Sequence, residues 1–399
     1  MAGGDNYKMC TRCIYDSNTP GITFDENGIC NYCHQIESLE ETFGTGKPKG
    51  EKALQDILEQ IRRSGKNKKY DCVIGVSGGT DSSFMLLKAQ EWGLRPLAVH
   101  YDNTWNSAVA TENIRKVTSR LNVDLYTYVI NNKEADDIFR SFLIAGVPEF
   151  DASTDIAYAQ VLRSAAAKFK IKYILEGHSF HEEGVSPMGK NYFDGKYIAD
   201  IHKKYGKIKM KTYPNLTFKE FLKWVLVYRQ KFIRPYWYMD YSKVDSRKVL
   251  EEQTGWIYYG GHHLENRSAA FFHMVYQPEK FGIDNRNWAL CAQVRRGRLT
   301  REQALEIYRT PLGNTDEIVA YVKKRLELSD NEYEKLMKGP GRSFRDFKTY
   351  KKRFERLRPL FFILAKANLV PMSFYIKYCF PFKENDGKVS SSYGLKLLI

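Results

Sequence analysis

The sequence lacks any stretch of about 20 consecutive apolar residues, the length that a transmembrane helix needs. The nearest candidate, residues 360–375, is interrupted by Lys366, Asn368 and Pro371. The first residues, which include Asp5 and Lys8, have no apolar core and are not typical of a signal peptide. We therefore expect a cytoplasmic protein without a membrane span.

Cysteine is scarce outside one short segment, which excludes the disulfide framework of a small secreted protein. Of seven cysteines, Cys72, Cys291 and Cys379 are isolated, as small buried thiols usually are. The other four form two Cys-x-x-Cys pairs: Cys10, Cys13, Cys30 and Cys33. This spacing matches a closed, tetrahedral structural Zn²⁺ site. We predict a four-cysteine zinc ribbon over residues 1–45 that needs its metal to fold, with an iron–sulfur cluster as the alternative.

Acidic residues are outnumbered, since 62 Lys and Arg face 47 Asp and Glu and give a formal net charge of +15. Such a charge favours anionic partners: nucleotides, nucleotide-activated substrates, nucleic acid or an acidic protein. Residues 206–235 are strongly basic, and helical patterns dominate after them, with a capping box at Thr300 and Gln303 and a basic helix over 344–357. We predict that residues 206–399 form a mainly helical, basic substrate or partner region.

The middle of the chain alternates short apolar runs with amphipathic stretches. The runs at 70–76, 96–101, 125–130 and 171–175 are typical of buried parallel strands, and helical patterns separate them. This alternation predicts an α/β domain over residues 46–205, built on a parallel sheet with helices on both faces. Ligands of such sheets bind at the carboxyl ends of the strands.

One glycine-rich loop lies between the first predicted strand and a predicted helix. Its residues are Ser77, Gly78, Gly79, Thr80, Asp81, Ser82 and Ser83. Glycines let the backbone approach phosphate oxygens closely, and the helix N-terminus adds free N–H groups. The loop matches neither the Walker pattern nor the dinucleotide pattern. It predicts an ATP pyrophosphate site in which Asp81 binds Mg²⁺, although a turn with glycines only for geometry is the alternative.

This loop resembles the signature of the PP-loop ATP pyrophosphatases, which cleave ATP between its α and β phosphates and adenylate a carbonyl-type oxygen. The resemblance implies an adenine nucleotide α-hydrolase-like fold. Besides the loop, the residues expected to bind the nucleotide are Tyr101, Asp102, Glu176, Gly177 and His178. The residues expected to act in catalysis are Asp81, Ser82, Asp102 and His178.

Two further segments carry candidate site residues. Glu182 and Glu183 follow the Glu-Gly-His segment and are either second metal ligands or solvated loop carboxylates. In the segment 256–267, we expect His262, His263 and Arg267 to contact a substrate phosphate or carboxylate, the alternative being a polar helix start at a domain boundary. A run of arginines at positions 286, 295, 296 and 298 is either a solvated face or a surface for a diphosphate or a partner.

The order of these features resembles a narrower family. A four-cysteine ribbon, the glycine loop, His-Tyr-Asp-Asn-Thr-Trp at 100–105, Leu-Glu-Gly-His at 175–178 and Tyr-Gly-Gly-His-His at 259–263 occur in sequence. This set resembles the N-acetyl sugar amidotransferases of bacterial surface polysaccharide (lipopolysaccharide O-antigen) biosynthesis, of the WbpG and PseA kind. The resemblance implies conversion of an acetamido group on a nucleotide-linked sugar to an acetamidino group, with ATP and Mg²⁺. It also implies a separate glutaminase that supplies ammonia, similar to the HisH and HisF pair of imidazole glycerol phosphate synthase.

Two other functions compete with this hypothesis. The first is a PP-loop enzyme that modifies tRNA by thiolation, since a zinc ribbon and a basic chain suit RNA. Sulfur transfer usually needs further reactive cysteines, and Cys72, Cys291 and Cys379 lack the spacing for that role. The second is a non-catalytic zinc-ribbon protein with a degenerate nucleotide fold, against which the intact Asp81 argues.

Overall fold

In the computed structural model the described residues are 7–185, 187, 192–261, 264–313 and 315–381. Their centre is a sheet of five parallel strands in the order β3-β2-β1-β4-β5. The strands are β1 (Cys72–Gly75), β2 (Pro96–Asp102), β3 (Leu125–Val129), β4 (Tyr173–Leu175) and β5 (Lys231–Ile233). Val73 of β1 pairs with Leu97 on one side and with Ile174 on the other. The predicted parallel α/β sheet is confirmed.

The fifth strand is an addition to the four that the sequence predicted. Its three residues are only partly buried, so they carry no apolar run by which to recognise them. β5 pairs in parallel with β4 and lies beyond residue 205. The sheet therefore takes strands from both the predicted nucleotide domain and the predicted C-terminal region.

Alternate residues of β1, β2 and β4 point to two separate cores, whereas β3 is exposed on one face at Leu125 and Val129. On one face Val73, Val99 and Ile174 pack beneath α5 (Asn132–Ala145) and α6 (Ala152–Lys168). On the other face Cys72, Ile74 and other strand residues pack beneath four helices. Those four are α2 (Pro48–Gly65), α3 (Thr80–Glu91), α4 (Ala108–Arg120) and α10 (Lys243–Thr254). This two-sided burial explains why the strands are apolar throughout rather than alternating.

The N-terminal segment consists of two tight knuckles followed by α1 (Asn31–Phe43). Isolated antiparallel bridges join Met9 to Asp16 and Phe24 to Cys30. The remaining helices are α7 (Phe180–Glu183), α8 (Gly195–Tyr205), α9 (Phe218–Leu222), α11 (Arg267–Phe271), α12 (Gln277–Phe281), α13 (Arg286–Arg295), α14 (Arg301–Arg309), α15 (Asp316–Arg325), α16 (Asp330–Lys338), α17 (Lys351–Arg356), α18 (Arg358–Lys366) and α19 (Met372–Cys379). Single π-helical or 3₁₀ turns occupy Lys223–Val227, Pro235–Trp237, Phe272–Tyr276 and Phe344–Asp346. The C-terminal region is mainly helical, as predicted.

Two local predictions in that region have different outcomes. The capping box at Thr300 and Gln303 is present at the start of α14. The single helix predicted over 344–357 is wrong, because a 3₁₀ turn and then α17 occupy that stretch. The backbone N–H groups of Lys348 and Tyr350 donate to the carboxylates of Asp200 and Asp194 at 3.0 and 2.6 Å, so tertiary partners replace helical ones. Across the described ranges, no helix combines the length and apolar character needed to cross a bilayer.

Candidate functional site

The glycine loop lies where the sequence predicted it, between the end of β1 and the first turn of α3. Gly78 has a φ of +82°, and a Cβ there would lie 2.2 Å from the carbonyl oxygen of Ala110 in α4. The Ser77 hydroxyl accepts from the N–H of Gly79, and the Ser82 hydroxyl accepts from the N–H of Ser77, both at 3.3 Å. The first turn of α3 follows directly, with N–H groups that have no partner inside the helix. This arrangement suits an anion such as pyrophosphate.

The Asp81 side chain is held by two groups that no pattern in the sequence connects with it. Tyr241 donates its hydroxyl to one carboxylate oxygen at 2.5 Å, and Lys243 donates to the other at 2.6 Å. Tyr236 stacks on Tyr241 with ring centroids 3.9 Å apart and donates to the Asp81 carbonyl. Both Asp81 oxygens thus have protein donors, and the Mg²⁺ role of Asp81 stays a prediction.

Helix α10 brings two cations to the loop. Lys243 and Arg247 are four residues apart and therefore share one face of the helix. Arg247 lies with Nε 3.4 Å from the Thr80 hydroxyl and stacks on Tyr258 at 4.2 Å. These two side chains place positive charge at the rim of the loop, where Lys243 is paired with Asp81.

The Glu-Gly-His segment after β4 approaches the same loop. A Cβ at Gly177 would lie 2.8 Å from the Asp81 carbonyl oxygen, so only glycine permits this contact. The Glu176 carboxylate accepts from Arg234 Nε at 2.9 Å, just beyond β5. The predicted convergence of these segments at the carboxyl edge of the sheet is therefore what the structure shows.

His178 has a defined tautomer in this arrangement. Its Nδ1 accepts from the indole N–H of Trp237 at 3.1 Å, which places the proton on Nε2. Nε2 is 3.3 Å from a carboxylate oxygen of Glu183. Burial, with a smaller effect of Arg234, lowers the pKa of His178 to about 3, and burial raises the pKa of Glu183 to about 8. The pair therefore presents a neutral imidazole with an N–H donor at neutral pH.

Glu182 is not an available metal ligand, and that prediction is wrong. Its side chain is 2% exposed, and its carboxylate accepts from Arg296, Arg298 and Gln293. The arginines at 296 and 298, which we expected either to be solvated or to meet a diphosphate or a partner, therefore bind a carboxylate inside the protein. Arg286 likewise pairs with Asp284 at 2.7 Å. These contacts fix α7, which follows His178, onto α13 and the loop after it.

Tyr101 and Asp102, the two residues at the end of β2 that we expected to bind the nucleotide, have different outcomes. Tyr101 is 7% exposed and packs in the core with its hydroxyl beside Tyr213, so it does not form a nucleoside-binding edge. Asp102 points to the other face and accepts from the N–H of Thr104 at 2.7 Å. Together with His100, Asp102 lines a groove of about 520 Å³ between α4 and β3. Its role with the nucleotide stays a prediction.

The loop after β2 is joined to the C-terminal region at Asn266. The Asn266 amide donates to the side-chain oxygens of Asn103 at 2.8 Å and Asn106 at 2.9 Å. The backbone N–H of Arg267 donates to the Trp105 carbonyl at 2.8 Å, while its guanidinium stacks on Tyr321 at 4.6 Å. His262 and His263, which we expected to contact substrate, lie outside the described residues, and no observation tests that role for Arg267.

The four clustered cysteines form a closed potential metal site. All four are fully buried, and neighbouring sulfurs are 3.6 to 3.9 Å apart. Four sulfurs at about 2.3 Å from one tetrahedral ion would lie about 3.8 Å apart, whereas a four-iron cluster is larger. The donor set and spacing therefore fit a single ion such as Zn²⁺.

The cysteine cluster is also in contact with the C-terminal helices. Arg295 donates to the Cys33 sulfur at 3.8 Å, and Arg301 donates to the carbonyls of Cys10 and Cys13 at 2.7 and 3.2 Å. Cys291, predicted as an isolated buried thiol, packs in the same cluster. The N-terminal ribbon is thus supported by α13 and α14.

Comparison with known families agrees with the expected resemblance. Residues 265–358 match the family described as LPS biosynthesis protein WbpG-like, C-terminal domain, so the resemblance to that family is confirmed over these residues. The chain is also 29% identical over 171 residues to the uncharacterized protein MJ1599 of Methanocaldococcus jannaschii, which covers 42% of this chain and 58% of that protein. This alignment therefore spans less than two thirds of the relative.

More distant similarity exists to solved structures. The U34-tRNA thiolase NcsA of Methanococcus maripaludis has 13% identity and a TM-score of 0.34, covering 83% of this chain and 100% of that one. NMN synthetase of Francisella tularensis has 14% identity and a TM-score of 0.27, covering 56% and 92%. Glutamine-dependent NAD⁺ synthetase of Acinetobacter baumannii has 13% identity and a TM-score of 0.30, covering 82% and 53%. The predicted fold class is confirmed by this chain's own parallel sheet, four-cysteine cluster and helical C-terminal region.

Proposed function

We propose that this chain is an ATP-dependent amidotransferase that adenylates an acetamido group of a nucleotide-linked sugar and replaces its oxygen with nitrogen from ammonia. The observation that carries the proposal is the contact between the glycine-loop domain and the WbpG-like region. That region begins at Glu265, and its second residue, Asn266, bonds to Asn103 and Asn106 at the edge of the site. The glycine-loop domain and the region that matches a polysaccharide-biosynthesis family are therefore in direct contact, which supports a shared site.

The nucleotide end of this site would use the loop and its two cations. The backbone of Gly78 and Gly79 with the hydroxyls of Ser77, Thr80, Ser82 and Ser83 would hold pyrophosphate oxygens. Lys243 and Arg247 would stabilise the negative charge that develops on the departing pyrophosphate, a preorganised electrostatic contribution. Asp102 at the end of β2 would contact the nucleoside, and the Glu176-Gly177-His178 segment would face the α-phosphate.

Mg²⁺, when bound with ATP, supplies charge neutralisation for the phosphates. Asp81 is the carboxylate that would hold it, and Glu183 would join as a second ligand on losing the proton that its raised pKa retains, since Mg²⁺ prefers one or two carboxylates beside phosphate oxygens. Their oxygens already meet Lys243, Tyr241 and His178, so the fit requires that the protein donors and the ion share them.

The chemical steps explain why ATP is needed. An amide carbon is a poor electrophile because its oxygen is a poor leaving group. Transfer of AMP to that oxygen, with release of pyrophosphate and loss of the amide proton, gives an activated imidate. Ammonia then adds to the carbon, AMP departs with the oxygen, and an amidine remains. The Nε2–H of the neutral His178 faces Glu183 at 3.3 Å, and during transfer it would donate to the α-phosphate in place of Glu183.

The remaining parts of the proposal are the identity of the metal, the source of the ammonia and the cellular location of the reaction. We assign Zn²⁺ to the four-cysteine cluster, as a structural ion. Ammonia would come from a separate glutaminase of the HisH and HisF kind, because Cys72, Cys291 and Cys379 are fully buried and none is placed as a glutaminase nucleophile. The basic surface would bind that partner, and the reaction would belong to cytoplasmic assembly of a surface polysaccharide.

The proposal is tested with a heavy-oxygen label in the acetamido group. The enzyme is incubated with ATP, Mg²⁺, ammonium and labelled nucleotide sugars, and both products are weighed by mass spectrometry. We expect the label in AMP and a sugar product lighter by about one mass unit after correction for the label, since NH replaces O. AMP without the label, or no AMP, would contradict adenylation of the amide oxygen.

The rival function, thiolation of tRNA, has weaker support. Each cysteine outside the four-cysteine cluster is fully buried, and burial raises the pKa of Cys379 to about 12, so that thiol is not poised as a thiolate. Burial likewise raises the pKa of Cys72. Copurification of RNA with a steep salt dependence, together with AMP formation that depends on RNA, would favour the rival.

A further inference from the structure

A second group of polar side chains lies on α6, near the end of β1 that leads into the glycine loop. It occupies the first two turns of α6, where Asp151, Asp155 and Tyr158 follow one another at i, i+4 and i+7 and therefore share one helix face. The Tyr158 hydroxyl contacts β1 so closely that a Cβ at Gly75 would lie 1.9 Å from it. This face of α6 therefore begins next to the strand end that leads into Ser77.

Several buried polar atoms of this group make no hydrogen bond of good geometry in the described part of the chain, although Ser153 lies beside the Tyr213 hydroxyl and Thr154 beside Asp151. They are Asp151 Oδ1, Ser153 Oγ and Thr154 Oγ1. Ser153 is fully buried, and Asp151 does not cap its own helix. A buried polar group without a well-formed hydrogen bond costs about 1–3 kcal/mol, so these three atoms leave hydrogen-bonding capacity that a bound ligand would use.

Other elements enclose the group. Tyr213, 7% exposed, brings its hydroxyl beside Ser153 and Tyr101 and within reach of both aspartates. Lys377 of α19 faces Asp155 and Glu149, and it lies 5.5 Å from the Phe193 ring. Asp155 itself remains exposed, although the surrounding protein raises its pKa to about 6. Because Asp155 is exposed while Ser153 is buried, the group extends from the surface inward, and we refer to it below as the recess.

The chemistry of the recess selects one class of ligand. Two carboxylates disfavour a phosphate, and the ammonium of Lys377 disfavours a small cation. Carboxylates accept only, an ammonium donates only, and the Ser, Thr and Tyr hydroxyls do both. A ring that carries several hydroxyls offers a donor and an acceptor at each, and so matches all of these groups at once.

We propose that the recess formed by Asp151, Ser153, Asp155, Tyr158 and Lys377 binds the hydroxyl-bearing ring of the sugar acceptor. This inference rests on the proposed function, because it names where the sugar of that reaction is held. The Tyr158 hydroxyl lies against Gly75 at the end of β1, which places one side of the recess next to the strand that leads into the glycine loop. A sugar in the recess would present its acetamido group toward the glycine loop.

Binding of sugar nucleotides to the full-length, metal-loaded protein tests this assignment by calorimetry. The probes are UDP-N-acetylglucosamine against UDP, and CMP-N-acetylneuraminic acid against CMP. Asp155→Asn changes a water-accessible carboxylate, and Tyr158→Phe keeps the ring that packs on Gly75, so both preserve the fold. The matched control is Glu334→Gln, an exposed carboxylate paired with Lys338 at 3.0 Å on α16.

We expect the wild type and the control to bind at least one sugar nucleotide more tightly than its bare nucleotide. Each recess variant should weaken that binding about tenfold and leave the affinity for the bare nucleotide and for ATP unchanged. Unchanged sugar affinity in both variants, or no preference of the wild type for any sugar nucleotide, would overturn the assignment. Transfer of the label into AMP tests the reaction separately from binding. If the label is transferred but the recess variants bind the sugar nucleotides as the wild type does, only the assignment of the recess is refuted. If a sugar nucleotide binds more tightly than its bare nucleotide but no AMP forms, only the proposed reaction is refuted.

Discussion

The ion pair between Lys243 and Asp81 offers the sharpest test of the site. The two side chains are 15% and 21% exposed, and the nitrogen and oxygen are 2.6 Å apart. Loss of one partner of a fully buried pair costs about 3–5 kcal/mol, and this partial exposure reduces the expected cost to about 2–3 kcal/mol. We expect Lys243→Gln and Asp81→Asn each to destabilise the protein by that amount, and the double variant to cost less than the sum.

The same variants separate the two roles assigned to the pair. If Lys243 stabilises the departing pyrophosphate, Lys243→Gln lowers kcat/KM for ATP by about 10- to 100-fold without changing the Mg²⁺ concentration needed for half-maximal rate. Asp81→Asn should raise that Mg²⁺ concentration. Urea unfolding gives the stability terms, and AMP formation at varied ATP and Mg²⁺ gives the kinetic ones.

A matched control keeps this test interpretable. Lys88→Gln removes a lysine from the far end of the same helix, α3, where it pairs with Glu91. That variant should leave ATP kinetics unchanged. A coupling energy below about 0.5 kcal/mol in the double-mutant cycle would refute the structural reasoning. Full activity of Lys243→Gln would refute the role of Lys243 with pyrophosphate.

Three further perturbations have defined outcomes. Gly78→Ala should lower the free energy of unfolding by more than about 2 kcal/mol and abolish AMP formation, because Gly78 has a φ of +82° and a Cβ there would lie 2.2 Å from a backbone oxygen of α4. The control Gly93→Ala, at a φ of +68° with open space around it, should cost only about 1 kcal/mol. Urea unfolding measures both free energies. Glu149 is 3% exposed and burial raises its pKa to about 7, so its native state holds a proton that the unfolded state releases above about pH 4.5. This group should therefore lower stability by up to about 3 kcal/mol between about pH 4.5 and 7, and a wild type whose pH profile equals that of Glu149→Gln would contradict it. Removal of the metal, or Cys30→Ser, should increase hydrogen exchange in α13 as well as in the ribbon, because Arg295 of α13 bonds to Cys33. Exchange that increases only before residue 45 would contradict this coupling between the ribbon and α13.

The elements that were predicted correctly are those whose signals are local. β1, β2 and β4 were recognised because two-sided burial requires a continuous apolar run, and β3 carries a similar run although one of its faces is exposed. β5 was missed because three partly buried residues carry no such run and form a strand only through pairing with β4. The helix expected over 344–357 was divided because Asp194 and Asp200, about 150 residues earlier, take its backbone donors.

Site residues follow the same rule. The glycine loop and the cysteine pairs were predicted because each is a contiguous pattern with its own chemistry. Tyr101 was misassigned although the necessary signal was present, since neighbours in a strand face opposite sides and Asp102 already occupied the outer one. Nothing in the sequence connected Lys243 to Asp81, because a helix about 160 residues later makes that contact.

By itself, the sequence determined the parallel sheet, the loop at the end of β1 and the four-cysteine cluster, since these depend on apolar periodicity, on glycine conformation and on ligand spacing within short stretches. Only the tertiary structure decided which charges meet. It paired Asp81 with Lys243, enclosed Glu182 between two arginines and placed an acidic face of α6 beside Lys377. The sequence pattern around a charged side chain does not indicate which distant residue it will contact. Its role depends on burial and on neighbours that exist only in the folded protein.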